Sequence, residues 1–304
     1  MTQTLSDNLA DPNCPDCGGG GYRRRDKDSI APIDIETCHC VLRRRAILNI
    51  ARRLIATELP GLYAEAEIDK LNEREGKVLV IDAARGGRPM EREQAEIDRE
   101  NKAKLWVLAL EELRPGQNVI LIGPPGVGKT YSAAALMREQ IRRFGKNGFY
   151  ITSYRYITTM RPEHASVEDQ QRLRRRCTTV DVLLLDDLGI EKNSAATMRE
   201  LLYLIDERSK NGKATIVTSN LRMSEVFGQD SKRAGATMTA DTHEAYEIGE
   251  RIYSRFKEDR SIIEWPEAMT DWRGESFRRR EAARTLSADR AARAKTHLLG
   301  EGGQ

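Results

Sequence analysis

Residues 123–130 read Gly-Pro-Pro-Gly-Val-Gly-Lys-Thr, which satisfies the spacing G-x-x-x-x-G-K-[ST] in full. Glycines 123, 126 and 128 allow a backbone curl whose N–H groups converge on phosphate oxygens. Lys129 adds a full positive charge for the β- and γ-phosphates, and a helix starting there adds a partial one. The hydroxyl of Thr130 suits a magnesium ion. The candidate nucleotide-binding residues are therefore Gly123, Pro124, Pro125, Gly126, Val127, Gly128, Lys129 and Thr130. A second stretch, 182–189, reads Val-Leu-Leu-Leu-Asp-Asp-Leu-Gly. A buried strand that ends in two acids delivers them to the strand's carboxyl end, where α/β sheets bind ligands. Asp186 would join Thr130 around magnesium, directly or through water, and Asp187 would orient or deprotonate an attacking water. Asn220 closes a third strand, 214–220, which ends Thr-Ser-Asn and where its amide could hold that water or sense the γ-phosphate.

A different chemistry is spaced out near the start of the chain. Cys14-Pro-Asp-Cys17 is followed by Cys38-His-Cys40, so four of the five cysteines fall within forty residues. The pattern C-x2-C…C-x-C is close to that of a structural zinc ribbon or knuckle. Glycines 18–21 supply the turn a knuckle needs. Four thiolates would close a tetrahedral zinc site with no open position for catalysis, although His39 could stand in for Cys40. Such an ion would hold together a module too small for its own core.

The elements that must position these residues are legible in apolar patterning. Residues 118–122 form a short apolar run after Pro115-Gly116 and read as a buried strand. Ala133, Leu136, Met137, Ile141 and Phe144 recur at helical spacing, and Gly145 stops the helix. Residues 148–153 read as another strand, 154–160 as a helix, and Ser166 with Asp169 as a capping box. Met198, Leu201, Leu202 and Ile205 stripe a further helix, and 249–256 forms a short one with Arg251 and Arg255 a turn apart. Residues 41–59 read as a basic helix and 102–113 as an amphipathic one. The stretch 71–99 is highly charged and glycine-containing, and reads as a linker with a short strand at 77–82.

Composition bounds the rest. The chain has 304 residues, and its 39% apolar fraction is ample for one core but low for two. Fifty basic residues against 47 acidic leave a formal charge of +3, so nucleic-acid affinity must come from local patches. Such patches occur at 23–25, 43–45, 174–176 and 278–280, where a solvated face is the ordinary alternative. The first thirty residues hold no signal-peptide core, and no window approaches the roughly 20 apolar residues of a membrane span. A cytoplasmic protein with no membrane association is expected.

Over residues 106–273 the chain resembles the AAA+ ATPases of the DnaC/DnaI helicase-loader and IstB branch. The resemblance rests on Gly-Pro-Pro-Gly-Val-Gly-Lys-Thr, Leu-Leu-Asp-Asp-Leu-Gly, Asn-Gly-Lys-Ala-Thr-Ile-Val-Thr-Ser-Asn-Leu and Gly-Glu-Arg-Ile-Tyr-Ser-Arg-Phe. The cysteine module followed by Val-Leu-Arg-Arg-Arg is similar to the zinc region of the loaders, which IstB-like proteins generally lack. The resemblance implies an α/β fold, an AAA+ P-loop core with a parallel sheet flanked by helices, plus a small N-terminal zinc-binding helical module. It divides the chain into that module at 1–59, a charged linker at 60–104, the ATPase domain at 105–274 and a basic helical tail at 275–304. By position Asn220 matches sensor 1, Arg255 the arginine finger with Arg251 beside it, and Arg273 the sensor 2 arginine. The catalytic set so implied is Asp187, Asn220, Arg255 and Arg273, with ATP, Mg²⁺ and Zn²⁺ as cofactors. The implied function is an ATP-switched oligomer that loads a hexameric replicative helicase onto single-stranded DNA. An IstB-like regulator of DNA transposition is the alternative. Asp187 stands where the wider class carries glutamate, and 71–99 has no counterpart in the branch.

Overall fold

The computed structural model describes residues 9–25, 35–82, 88–189, 194–220, 240–258 and 262–271. Five parallel strands form the central sheet: β5 (Asn118–Ile122), β6 (Gly148–Thr152), β7 (Val182–Leu188), β8 (Ala214–Ser219) and β9 (Ile262–Glu264). Their spatial order is β6-β7-β8-β5-β9. All of β5 and β8 is buried, because helices cover both faces of the sheet. That is why residues 119–122 of β5 are an unbroken apolar run, while β8 buries Thr215, Thr218 and Ser219 beside its apolar residues.

Strand alternation still sorts the side chains into two layers. Val119, Leu121, Leu184 and Ile216 enter one cluster with α2 (Gln94–Leu110) and α3 (Lys129–Phe144), which contribute Ile97, Leu105, Leu136 and Ile141. Ile120, Ile122, Leu183, Leu185 and Val217 enter the other. That face is covered by α4 (Ser153–Thr159), α5 (Val167–Thr179), α6 (Ala195–Lys210) and α7 (Ala240–Glu258). Ile248, Ile252 and Phe256 form the buried stripe of α7, and Met198, Leu201, Leu204 and Ile205 that of α6. Leu202, expected in that stripe, is only partly buried, and Leu204 takes its place. Each fully buried Leu or Ile contributes about 1.5–3 kcal/mol. Ser166 is the N-cap of α5: its Oγ accepts from the Asp169 N–H at 3.1 Å and donates to Asp169 Oδ2 at 2.7 Å.

The stretch read as a linker is built into this body. Lys77–Asp82 is indeed a strand, β3, paired antiparallel with β4 (Arg88–Glu93), and α2 begins at once at Gln94. The amphipathic helix expected at 102–113 is the second half of α2, which ends at Leu110; the first half escapes apolar periodicity because half of the buried stripe is polar. Gln94, Asp98 and Asn101 are buried alongside Ile97, Leu105 and Ala109. Each polar member is satisfied: Gln94 Oε1 accepts from the Thr270 N–H and hydroxyl, and Asn101 Nδ2 donates to Glu264 O.

At the N-terminus, β1 (Tyr22–Arg24) and β2 (Ile35–Thr37) pair antiparallel and lead into α1 (His39–Ile55). The chain after α1 docks on the core. The Tyr150 N–H donates to Thr57 O at 2.8 Å, and Arg138 donates to the carbonyls of Ala64 and Ala66. Two of the arginines in the 174–176 cluster serve the fold. Arg174 pairs with Glu200, and Arg176 pairs with Glu58 and lies 3.8 Å over the Phe149 ring. Arg172 and Arg175 are exposed. Among the described residues no helix is long and apolar enough to cross a membrane. The basic helical tail expected at 275–304 lies outside the described residues.

Candidate functional site

The phosphate loop joins β5 to α3. Its three glycines have φ of 156°, 79° and 92°, and at Gly126 and Gly128 that is left-handed backbone that other residues rarely adopt. At Gly126 a Cβ would also meet the end of the Asp271 side chain, which would have to turn aside. Lys129 is buried, and its ammonium donates to Gly123 O at 2.9 Å and Pro124 O at 2.8 Å. Those bonds hold the charge at the mouth of the loop. Thr130 Oγ1 donates to Asp186 Oδ1 at 2.8 Å, so the two residues assigned to magnesium touch. A hydroxyl beside a carboxylate is the hard oxygen set that a magnesium site uses.

The order of the sheet explains why the acids meet the loop. β8 lies between the phosphate-loop strand β5 and the acid strand β7. Its carboxyl end therefore delivers Thr218 and Asn220 between the loop and the acids. Thr218 Oγ1 donates to Asp186 Oδ1 at 2.6 Å, and the Tyr150 hydroxyl on β6 donates to Oδ2 at 3.1 Å. Burial, reinforced by the Asp186 charge, pushes the Tyr150 hydroxyl well above its ordinary range, so it stays a proton donor.

Asp187 lies near the end of β7 at a register irregularity, with φ of 57°. For an L-residue left-handed backbone costs about 1–2 kcal/mol, although Asp tolerates it better than most. Thr218, Ser153 and Asn220 help to hold it there. Its N–H donates to Thr218 Oγ1 at 3.0 Å, its carbonyl accepts from Ser153 Oγ at 2.8 Å, and its Oδ1 accepts from Asn220 Nδ2 at 3.3 Å. Asp187, Asn220, Lys129 and Thr130 line one cavity of about 360 Å³, together with Gly126 and Tyr63.

A second cavity, of about 380 Å³, flanks the same loop and is mainly apolar, with Leu71, Leu105, Val127, Tyr131 and Trp265 in its wall. Behind it lies a buried ion pair. Arg74 pairs with Asp98 and also donates to Val127 O in the loop, while Trp265 Nε1 donates to Asp98 at 3.2 Å. Burial raises the Asp98 carboxyl above its usual range despite the opposing pull of Arg74. Thr218, Tyr150, Ser153, Arg74 and Asp98 do not stand out in the sequence.

Arg251 and Arg255 do not line the cavity that holds Lys129 and Thr130. Arg255 is about half exposed and faces Asp206 on α6 of its own chain, with Nε–Oδ1 at 3.4 Å, and Arg251 is exposed. Arg273 lies outside the described residues.

The cysteines converge as their spacing implies. The Sγ atoms of Cys14, Cys17, Cys38 and Cys40 all lie within 4.8 Å of one another. Cys14 and Cys38 are 3.7 Å apart, and Cys17 and Cys40 3.6 Å. Tetrahedral Zn–S bonds of about 2.3 Å place sulfurs roughly 3.7 Å apart, so the set fits zinc. Glycines 18, 19 and 21 have positive φ, and the Cys38 N–H is anchored on Gly21 O at 2.9 Å. His39 is exposed and its Nδ1 lies 3.0 Å from Asp16 Oδ2, which leaves the fourth thiol to Cys40. Burial opposes the Cys17 thiolate, but the Gly21 backbone and neighbouring thiols lower it to about 7. At Cys38 the Cys40 backbone favours the thiolate, yet burial and the other thiols push it up to about 12.

Comparison with known proteins agrees with this geometry. Residues 90–256 match the family model described as IstB-like ATP binding protein. An insertion-sequence ATP-binding protein of Mycobacterium tuberculosis is 39% identical over 120 residues, covering 40% of this chain and 47% of the relative. The replicative helicase loader DnaC of Escherichia coli is 29% identical over 108 residues, covering 35% of this chain and 44% of the loader. The match thus spans under half the length of either relative. A crystal structure of the DnaC helicase loader aligns with a TM-score of 0.48 at 20% identity, over 67% of this chain and 99% of that one. With more than half its length matched by that family model and the phosphate loop intact, the chain belongs to the IstB-like ATP-binding proteins, an AAA+ branch.

Proposed function

We propose that this protein is an ATP-hydrolysing switch that loads a hexameric replicative helicase onto single-stranded DNA. The observation that carries the ATPase half is the cluster of Lys129, Thr130, Asp186, Asp187 and Asn220 at one end of the sheet. Lys129 and the loop N–H groups hold the β- and γ-phosphates, and the apolar cavity beside Leu71, Leu105 and Trp265 takes the base. Thr130 and Asp186 hold Mg²⁺, which would neutralise charge on the phosphate oxygens. Asp187 accepts the proton of the attacking water while Asn220 holds its carboxylate in place. Arg255 of a neighbouring copy and Arg273 complete the site, so ATP binding favours the oligomer.

The loader half is supported by the N-terminal module, which lies ahead of the family match and resembles that of the loaders. We assign it one zinc ion held by Cys14, Cys17, Cys38 and Cys40. Metal analysis of the purified protein should find about one zinc per chain. Cys14→Ser with Cys17→Ser should lose it and keep nucleotide affinity, because the phosphate loop is built from other elements. Zinc should also leave as pH falls, since protons compete for each thiolate and Cys38 holds its proton tightly. Metal-free wild-type protein with full activity would remove zinc from the reading. DNA contacts are assigned to the segment from Tyr154 to Arg176, in which Tyr154, Arg155, Arg172 and Arg175 are exposed.

The second reading is an ATPase that regulates DNA transposition, favoured by the 39% identity to the insertion-sequence protein. A pulldown from the native cell, with and without ATP, separates the two. Recovery of a hexameric helicase only with ATP supports the loader. Recovery of a transposase and no helicase selects the second reading.

A further inference from the structure

We propose that Thr218 is a positioning residue that couples the magnesium-side carboxylate of Asp186 to the water-side carboxylate of Asp187. The inference deepens the ATPase reading above and rests on it. Thr218 is fully buried at the end of β8, between the strand of the phosphate loop and the strand of the acids. A hydroxyl has one proton to give and lone pairs to receive. The Asp187 N–H can only donate, and it points at Thr218 Oγ1 from 3.0 Å. The Thr218 proton is therefore directed to Asp186 Oδ1, 2.6 Å away. One hydroxyl thus sets the rotamer of the first acid and the backbone of the second.

The arrangement matters because neither acid is held by its strand alone. Asp187 sits in left-handed backbone beside the register irregularity, and its N–H has left the sheet ladder. Without the Thr218 hydroxyl that N–H loses this acceptor, and the turn that aims Asp187 loses one of its ties. Asp186 Oδ1 is shared by Thr130 and Thr218. In the proposed reading Thr130 also serves the cation, which leaves Thr218 as the donor to that oxygen with no second duty to a ligand. Thr215, on the same strand and equally buried, shows the ordinary role of a core threonine: its hydroxyl accepts from Arg208 Nε at 3.0 Å, remote from the acids.

Thr218→Val retains the branched shape and removes both hydrogen bonds. Outer-shell partners of this kind are worth about 10- to 100-fold in activity or metal affinity, and that loss is expected in kcat together with a rise in half-saturating Mg²⁺. Nucleotide affinity in EDTA should be unchanged, because the phosphate loop is untouched. Thr218→Ser, which restores the hydroxyl, should recover most of both losses, and Thr215→Val should show neither. Should Thr218→Val not fold, Thr218→Cys carries the same comparison with a weak donor. Wild-type kcat and Mg²⁺ dependence in the valine variant would overturn the proposal, as would equal losses in valine and serine variants. If the wild-type protein binds ATP without hydrolysing it, the ATPase reading fails separately. Thr218 is then judged on the Mg²⁺ dependence of ATP-analogue affinity alone, where a valine variant matching wild type overturns the proposal.

Discussion

Asp187→Asn should bind ATP as the wild type does and hydrolyse it about 10²- to 10⁴-fold more slowly, the range lost with a general base. The substitution suits the test because it disturbs the fold least. Asn shares with Asp an unusual tolerance of left-handed backbone, so the turn at φ 57° is retained. The N–H bond to Thr218 and the carbonyl bond from Ser153 involve only the main chain of residue 187, and both persist. An Asn carbonyl can still accept from Asn220. What disappears is the basic carboxylate facing the cavity that holds Lys129 and Thr130. Burst and steady-state measurements of phosphate release, with a parallel binding titration, read the two effects apart. Normal turnover in this variant would move the water-activating role away from Asp187.

Arg255→Ala should lower turnover by about 10³-fold or more while leaving nucleotide affinity nearly intact, the signature of an arginine supplied in trans. In its own chain Arg255 meets Asp206 on α6 and does not line the cavity of the phosphate loop. It is exposed, and so available to a second copy. The competing account is local: a half-exposed ion pair contributes about 0–1 kcal/mol, and its loss would leave catalysis alone. Mixing separates the accounts. Lys129→Ala lacks the charge that faces the phosphates but carries an intact Arg255, and Arg255→Ala is the reverse. Each should be nearly inactive alone, and the mixture should regain part of the DNA-stimulated ATPase, because an intact loop can then meet an intact arginine. If Arg255→Ala alone keeps wild-type turnover at every protein concentration, the finger role passes to Arg251.

Much of the site is legible in short stretches of the chain. The loop at 123–130 needs only its own glycines, its lysine and the helix that follows, all contiguous, so local pattern suffices. The same holds for the strand ending in Asp186 and Asp187, for Asn220, and for the cysteine pairs, whose knuckle turn is written as consecutive glycines. Buried parallel strands announce themselves as apolar runs because both faces are covered.

What the tertiary structure alone decided is who stands beside whom. Parallel strands are joined by long crossovers, so neighbours in the sheet need not be neighbours in the chain. β8 follows β7 in sequence yet inserts between β7 and β5, and that insertion brings Thr218 against Asp186 and Asn220 against Asp187. Tyr150 reaches Asp186 by the same logic from the other side. The stretch 71–99 escaped pattern reading for a second reason. Apolar periodicity detects a buried face only when that face is apolar, and α2 buries Gln94, Asp98 and Asn101. Their partners, Thr270, Arg74 with Trp265, and Glu264, lie 24 to 176 residues away along the chain. A buried polar group is stable only with such partners in place, and only the folded chain supplies them.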